Sequence, residues 1–403
     1  MKVKITAYNS EGAGIGRIEG EDDKINGKVV FVPFTAIGDY VEVNPIKNTG
    51  SVIYGELVQV IQASTDRITG VCDCTVFGQC GGCDFRHITY SAELKAKERF
   101  VRDGFTRIDG GRLTPEFLPI VPSDNVNYYR NNVQLHITED SCGGIVYGFL
   151  ASKSKTVIAH KGCKLYSAEM NECIKRAVGM IQERGKRTPQ KICVRRGHYS
   201  GETNATAFHM KGYEVITGNK KITDTMCGVK VEISPSSFYQ VNTPAAEKLY
   251  AIVADFVQPD NAVILDLYCG IGTIGLSLAK RAKEIIGIER DEVAVKNAVS
   301  NARLNNINNA RFICGDAGDF SQKITPDAVI LDPVRRGCDI SVLEKTANLC
   351  PKKIIMVSCN PATAARDCSR LYKLGYNTVK VAAVDLFPRT RHIECVALLN
   401  KGS

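Results

Sequence analysis

Short runs of alternating apolar and polar residues fill the first sixty positions. "KVKITAYN", "GIGRIEG", "GKVVFVPF", "DYVEVNPI" and "YGELVQVIQ" read as five strands, and glycines at 12, 14, 16, 20, 27, 38 and 50 supply the turns that hairpins require. Five short strands in so small a segment predict an OB-like barrel, with a generic β-module lacking a binding role as the competing reading. Residues 64–86 carry no apolar period and read as a Cys- and Gly-rich loop. "SAELKAKERFVRDGF" then has helical spacing, with Ser91 as the expected N-cap. From Asn127 to Met210 strands such as "NNVQLHIT" and "KICVRR" mix with a helix around "SAEMNECIKRAVGMIQERG". From Val263 the rhythm becomes strand–helix–strand, which predicts a doubly wound parallel sheet. Its strands are "AVILDLYCG", "EIIGIE", "ARFICGD", "DAVILDP", "KIIMVSC" and "HIECVALL". In "IIMVSCNPATAARD" a buried-strand pattern ends at Cys359, and Pro361 closes it. That places a thiol on the rim where open α/β sheets bind ligands.

Composition narrows the class. A chain of 403 residues is too long for one core and implies two or three domains. No apolar run approaches the ~20 residues of a membrane span, and the start "MKVKITAYNSEGAGIG" has no apolar signal core. The expectation is a cytoplasmic chain with no membrane contact and no implied protein partner. Sixteen cysteines in that setting read as reduced thiols or metal ligands. The net charge of +9 favours an anionic partner such as nucleic acid, though it is spread over a long chain.

"DLYCGIGTIG" carries Gly270, Gly272 and Gly275 at dinucleotide-binding spacing, so a nicotinamide cofactor is one reading. Acids tilt the balance towards S-adenosylmethionine (SAM). Asp266 precedes the turn, where a carboxylate repels a pyrophosphate and suits a sulfonium. Glu289 ends the next strand in reach of ribose hydroxyls, and Asp316 ends a third strand, suited to an adenine amine. "CDCTVFGQCGGCDF" holds Cys72, Cys74, Cys80 and Cys83, a soft ligand set for zinc or an iron–sulfur cluster, and its spacing is not that of radical-SAM enzymes.

Taken together, "SCNP", the glycine turn, "DPVRRG", "HIE" and the cysteine loop resemble the RNA uracil-5 methyltransferase family. The likeness spans essentially the whole chain and is strongest to bacterial 23S rRNA members with a TRAM barrel and a 4Fe–4S cluster. It implies a barrel over 1–62, a central α+β domain with the iron–sulfur loop over 63–235, and a SAM-dependent Rossmann-like methyltransferase domain over 236–403. It also implies a helix near 91–105 packed on the catalytic domain. By that resemblance the cluster ligands are Cys74, Cys80, Cys83 and Cys163, with Cys72 a bystander. The implied SAM contacts are Gln240 of "SPSSFYQVN", Tyr268, Gly270, Thr273, Glu289, Asp316 and Asp332. Two positions depart from the family pattern: Val334 replaces the second proline of D-P-P-R, and Thr273 stands where asparagine is commoner.

The chemistry gives Cys359 a role of its own. Carbon 5 of uracil becomes nucleophilic only after a thiolate adds to carbon 6. A thiol of ordinary pKa ~8.5 is only a few per cent thiolate at neutral pH, so the site has to assist its ionisation. After methyl transfer the proton on carbon 5 must leave, which requires a general base. Glu394, at the head of a late strand, is the candidate, with a solvated strand end as the alternative. Asp332 orients the base or SAM. Arg130 with Tyr128 and Tyr129 in "NYYRNNVQ" suits stacking on, and phosphate contact with, a flipped-out nucleotide. Rival readings are tRNA as the substrate, an RNA cytosine-5 methyltransferase, an iron–sulfur or NAD redox enzyme, and a non-catalytic RNA-binding module.

Overall fold

The N-terminal strands close on themselves: β1 (Lys2–Tyr8), β2 (Gly14–Glu19), β3 (Val29–Val32), β4 (Tyr40–Asn48) and β5 (Val52–Gln62) form a barrel in the order β1-β2-β3-β5-β4. Alternate residues point inward, so Val3, Ile5, Ile18, Val30, Val32, Val41, Val43 and Ile53 make a single apolar core. The computed structural model describes residues 1–19, 26–68, 76–152, 154–159, 162–185, 188–320 and 324–402. The chain groups into two units. One comprises Met1–Phe100, Gly148–His160 and Phe387–Arg391; the other comprises Val101–Tyr147, Lys161–Leu386 and His392–Ser403.

After the cysteine-rich loop comes α1 (Tyr90–Arg107). Its cap is Thr89 rather than the expected Ser91: the Thr89 hydroxyl accepts from the Ala92 amide at 3.3 Å, and Ser91 lies inside the first turn. Val101 and Phe105 of this helix belong to the core cluster of the second unit. There follow β6 (Glu116–Phe117), β7 (Asn132–Glu139), the hairpin of β8 (Ile145–Leu150) and β9 (Val157–Ala159), and α2 (Ala168–Glu183), capped by Ser167. β10 (Lys191–Arg196) pairs antiparallel with β7 and with β11 (Thr203–Phe208), which pairs with β12 (Tyr213–Thr217). Met170, Cys173, Ile174, Ala177 and Ile181 are the buried face of α2. β13 (Ile222–Met226) and β14 (Val229–Ile233) form a separate hairpin.

The catalytic half consists of α3 (Thr243–Val257), β15 (Val263–Leu267), α4 (Thr273–Leu278), β16 (Glu284–Glu289), α5 (Glu292–Leu304), β17 (Ala310–Cys314), β18 (Ala328–Leu331), α6 (Ile340–Asn348), β19 (Lys353–Ser358), α7 (Pro361–Lys373), β20 (Tyr376–Val384) and β21 (Glu394–Lys401). The sheet order is β17-β16-β15-β18-β19-β21-β20-β6. The expected all-parallel sheet needs one correction: β21 runs antiparallel to both of its neighbours. The reversal brings the first residue of β21 to the rim where the parallel strands end. Leu265, Leu267, Ile286, Ile288, Val329, Leu331, Ile354 and Met356 are buried in the sheet centre, as strands covered on both faces demand.

Candidate active site

The glycine turn follows β15. Tyr268 and Gly270 adopt left-handed φ of 64° and 55°, and Gly272 (φ 82°) starts α4. A Cβ on Gly272 would lie 2.8 Å from the Phe312 ring of β17, and one on Gly275 would lie 2.7 Å from Ile285 Cγ2 of β16, so the start of α4 packs against these two strands only because both are glycine. Asp266 is fully buried beneath the turn. Its Oδ2 accepts from the Gly275 amide at 3.1 Å, and its Oδ1 has no hydrogen-bond partner among the described residues. Burial, then the charge of Asp332, pushes its carboxyl up to about 7. Asp266 therefore holds the turn from below instead of facing a ligand directly.

Several of the expected cofactor residues lie on or beside this turn. Glu289 ends β16 and accepts from the Gly270 amide at 3.2 Å and the Asp291 amide at 2.9 Å. Asp316 lies just past β17 and is exposed; its Oδ1 caps Gly318 N–H at 3.1 Å. The Thr273 hydroxyl is 2.8 Å from that of Tyr250 on α3, which fixes the first turn of α4. Gln240, in the loop before α3, is 6% exposed. A glycine turn with Glu289, Asp316 and Asp332 around it fits a polar, cationic adenosine ligand.

The other half of the rim carries Cys359, Glu394 and Asp332, the expected reactive groups. β19 pairs Ser358 with Cys395 of β21, so one step further Cys359 stands across from Glu394. Asp332 follows Leu331, the last residue of β18 before the rim. Asn360 caps α7 by accepting from the Ala362 and Thr363 amides, and the Thr363 hydroxyl donates to Arg335 O at 3.3 Å, tying "SCNP" to "DPVRR". Burial, followed by the charges of Glu394 and Asp332, raises the Cys359 thiol to about 11, while Arg335 opposes them. Burial and Asp332 hold Glu394 well above the usual carboxylate range, and burial raises Asp332 to about 7. The resting site thus keeps protons on both its thiol and its innermost carboxyl.

The cysteine readings divide. Cys74 and Cys72 lie outside the described residues. The Gly82 amide donates to Cys80 Sγ at 3.4 Å, Arg86 Nε to Cys83 Sγ at 3.3 Å, and the Leu165 amide to Cys163 Sγ at 3.4 Å. Such N–H···S bonds favour thiolates. Among the described residues no three His, Cys, Asp or Glu side chains are grouped as a metal site. Cys269, Cys338, Cys368 and Cys395 are buried in packing, and Cys314 and Cys350 are exposed. In "NYYRNNVQ" Tyr128 is 56% exposed while Tyr129 is core, and Arg130 is half-buried.

Comparison with known proteins supplies the family. Residues 258–385 match a methyltransferase domain and residues 1–58 match a TRAM domain. An uncharacterized RNA methyltransferase of Halalkalibacterium halodurans is 31% identical, covering 99% of this chain and 96% of its own length. One from Bacillus cereus is 33% identical, covering 97% and 94% respectively. The chain belongs to the RNA methyltransferase family. A crystal structure of Pyrococcus abyssi tRNA (uracil-54, C5)-methyltransferase with S-adenosyl-L-homocysteine matches this methyltransferase with a TM-score of 0.76 at 25% identity, over 99% of this chain and all of that one. These matches agree with the resemblance to the RNA uracil-5 methyltransferases drawn from the motifs, and with SAM as the methyl donor. No helix among the described residues is long and apolar enough to cross a membrane.

Three positions in this methyltransferase escaped sequence reasoning. Tyr250 orders Thr273 from another helix. Asn131 donates through Nδ2 to Gln240 O (2.8 Å) and Thr243 Oγ1 (2.9 Å), holding the loop before α3 from β7's approach. Arg195, buried on β10, donates to Ser237 O at 2.8 Å and so braces the same loop. All three act across long sequence separations, and no local spacing signals them.

Proposed function

We propose that this methyltransferase transfers a methyl group from SAM to carbon 5 of a specific uridine in 23S rRNA through a covalent cysteine–uracil intermediate. The single supporting observation is the rim, where Cys359 and Glu394 face each other on β19 and β21 with Asp332 beside them and the glycine turn on the next strand. Cys359 gives up its proton to water, its thiolate sulfur adds to carbon 6, and the carbon 5–carbon 6 π pair moves into an enolate. Carbon 5 then takes the methyl group, and the sulfur–methyl bond of the donor breaks. SAM supplies only that methyl group. Glu394, once its own proton has passed to water, removes the carbon 5 proton as a carboxylate, the double bond reforms, and the Cys359 thiolate leaves. A carboxyl held above its usual range is a stronger base than an exposed one, which suits this last step. Arg335 is the cation that opposes the acids around the thiol, and it supports thiolate formation once RNA displaces water.

Gln240, Tyr268, Gly270, Thr273, Glu289, Asp316 and Asp332 are the proposed SAM contacts. Cys74, Cys80, Cys83 and Cys163 are the proposed ligands of a 4Fe–4S cluster. That reading is supported by the family resemblance and by the sulfur hydrogen bonds, and no catalytic step runs through it. The division 1–62, 63–235 and 236–403 is proposed on the same resemblance. A tRNA substrate is the second reading, favoured by the archaeal tRNA enzyme that matches nearly the whole chain.

The test is methyl transfer from labelled SAM to unmodified 23S rRNA fragments and to unmodified tRNA, with nucleoside analysis and Cys359→Ala as control, on protein analysed for iron and sulfide. Label in 5-methyluridine of rRNA, lost in the control, is expected. Label in tRNA alone moves the substrate to the second reading. No labelled uridine in either RNA overturns the proposal.

A further inference from the structure

The helix that follows Cys359 turns a carboxylate inward. Asp367 of α7 is fully buried, on the helix face that also carries Ala364, Ala365 and Cys368. Donors converge on both of its oxygens. The Cys338 amide and Arg366 Nη2 reach Oδ2 at 2.8 and 3.1 Å, and Arg366 Nε and Arg370 Nη1 reach Oδ1 at 2.9 and 3.2 Å. Arg366 Nη2 also donates to Arg336 O at 2.8 Å. Gly337 lies between these two anchored residues with a φ of 81°, and a Cβ there would fall on Asp367 Oδ2 and Arg366 Nη2. From the first turn of the same helix, the Thr363 hydroxyl donates to Arg335 O at 3.3 Å. The backbone of "DPVRRGC" is therefore gripped by α7 at 335, 336 and 338. Its other end continues β18, where the Asp332 amide donates to Leu267 O at 3.4 Å.

We propose that Asp367 is a positioning residue for the nucleophile: by holding residues 336–338 it keeps Arg335 beside Cys359. Cys359 directly precedes Asn360, the cap of α7, so the nucleophile and the clamp are carried by one element. The thiol is faced by Glu394 from β21, by Asp332 and Arg335 from the segment after β18, and by buried Cys395. Among these described groups Arg335 is the one cation. It stands between Asp332, which the sheet holds, and Cys338, which Asp367 holds. Loosening the clamp therefore frees Arg335 while Asp332 keeps its place on β18, and the acids around the thiol lose their opponent. An anchor that served α7 alone would have no use for the carbonyls of Arg335 and Arg336. The inference rests on the reading of Cys359 as the nucleophile with Arg335 supporting its thiolate.

The step that reports on it is the first methyl transfer, which needs the thiolate and precedes proton removal by Glu394. Its rate is measured in single turnovers with labelled SAM and saturating amounts of whichever RNA takes label above, from pH 6 to pH 10. A displaced cation raises the pKa of the thiol, and each unit of rise leaves about tenfold less thiolate at a pH below it. Asp367→Asn offers one acceptor oxygen in place of two and turns an N–H donor on the groups that the carboxylate held. It is expected to slow the first transfer about tenfold at pH 7 and to close on wild type as the pH approaches 10. Arg335→Gln serves as the benchmark, with the same pH-dependent deficit in full. If the Asp367→Asn deficit stays constant across the range, the inference is overturned, because a purely structural defect would not follow the thiol. A wild-type profile in Asp367→Asn beside an impaired Arg335→Gln also overturns it. If Arg335→Gln itself shows no deficit that closes with pH, the reading of Arg335 fails and this inference fails with it. If Asp367→Asn does not fold, Gly337→Ala, which keeps the carboxylate and displaces the segment by its methyl group, carries the same expectations.

Discussion

Asp266 shows how one side chain can serve a site it does not touch. Sealed under the glycine turn, it gives one oxygen to the Gly275 amide and keeps the other without a partner among the described residues. Its folded value of about 7 lies above the ordinary ~3.9, so between about pH 4 and pH 7 the folded chain keeps a proton that the unfolded chain has lost. Stability from this group is complete below that window and falls as pH rises through it. Asp266→Asn retains an acceptor for Gly275 without the charge. Its melting temperature is expected to gain on wild type from pH 5 to pH 8, by the equivalent of a few kcal/mol in order of magnitude, in parallel melts across that range. Cys359 stood out in the sequence because it ends a buried-strand pattern, and the structure places it just past β19. The proton inventory was not legible, because it depends on Asp332 and Arg335, in the segment after β18, meeting Glu394 of β21 around Cys359.

At the scale of elements, hydrophobic period located the catalytic strands well: "EIIGIE" coincides with β16, and "KIIMVS" with β19. It missed β20, whose "YNTVKVAAV" mixes exposed and buried positions along its length, and it carried no sign of strand direction. Direction is set by which partner a strand finds, and β21 finds two neighbours running the other way. The α1 cap was missed by two positions because Thr89 and Ser91 both carry hydroxyls, and only the fold decides which one meets an exposed amide. The glycine turn gives the clearest element-level prediction. Gly275→Ala would place Cβ 2.7 Å from Ile285 Cγ2 and 3.0 Å from Asp266 Oδ2. Overpacking of this kind costs about 1–3 kcal/mol, so lowered thermal stability together with weaker SAM binding by calorimetry is expected. Unchanged SAM affinity would mean that α4 shifts freely without disturbing the turn.

For the molecule as a whole, the barrel and the nucleotide-binding sheet were both legible, each from its own local period. What no window of sequence reveals is the spatial grouping, in which five residues near the C-terminus join the N-terminal unit. The buried pair Glu93–Lys97, 2.7 Å apart with both side chains fully enclosed, is central to that grouping. Removing one member leaves the other charge without its counter-ion. Glu93→Gln is expected to cost about 3–5 kcal/mol in denaturant titration, well beyond an exposed i,i+4 pair such as Lys296–Glu292.

Because Phe387–Arg391 belongs to the N-terminal unit, the fold also imposes an order on biosynthesis. Asp84 meets Arg391 across 307 positions, so a chain emerging from its N-terminus can close the barrel early but cannot complete that contact until almost all of its 403 residues are made. Contacts of such long range form late and slowly. The strand bearing Glu394 emerges in the same final stretch. A nascent chain therefore displays a finished barrel well before the strand that begins with Glu394 can join its sheet.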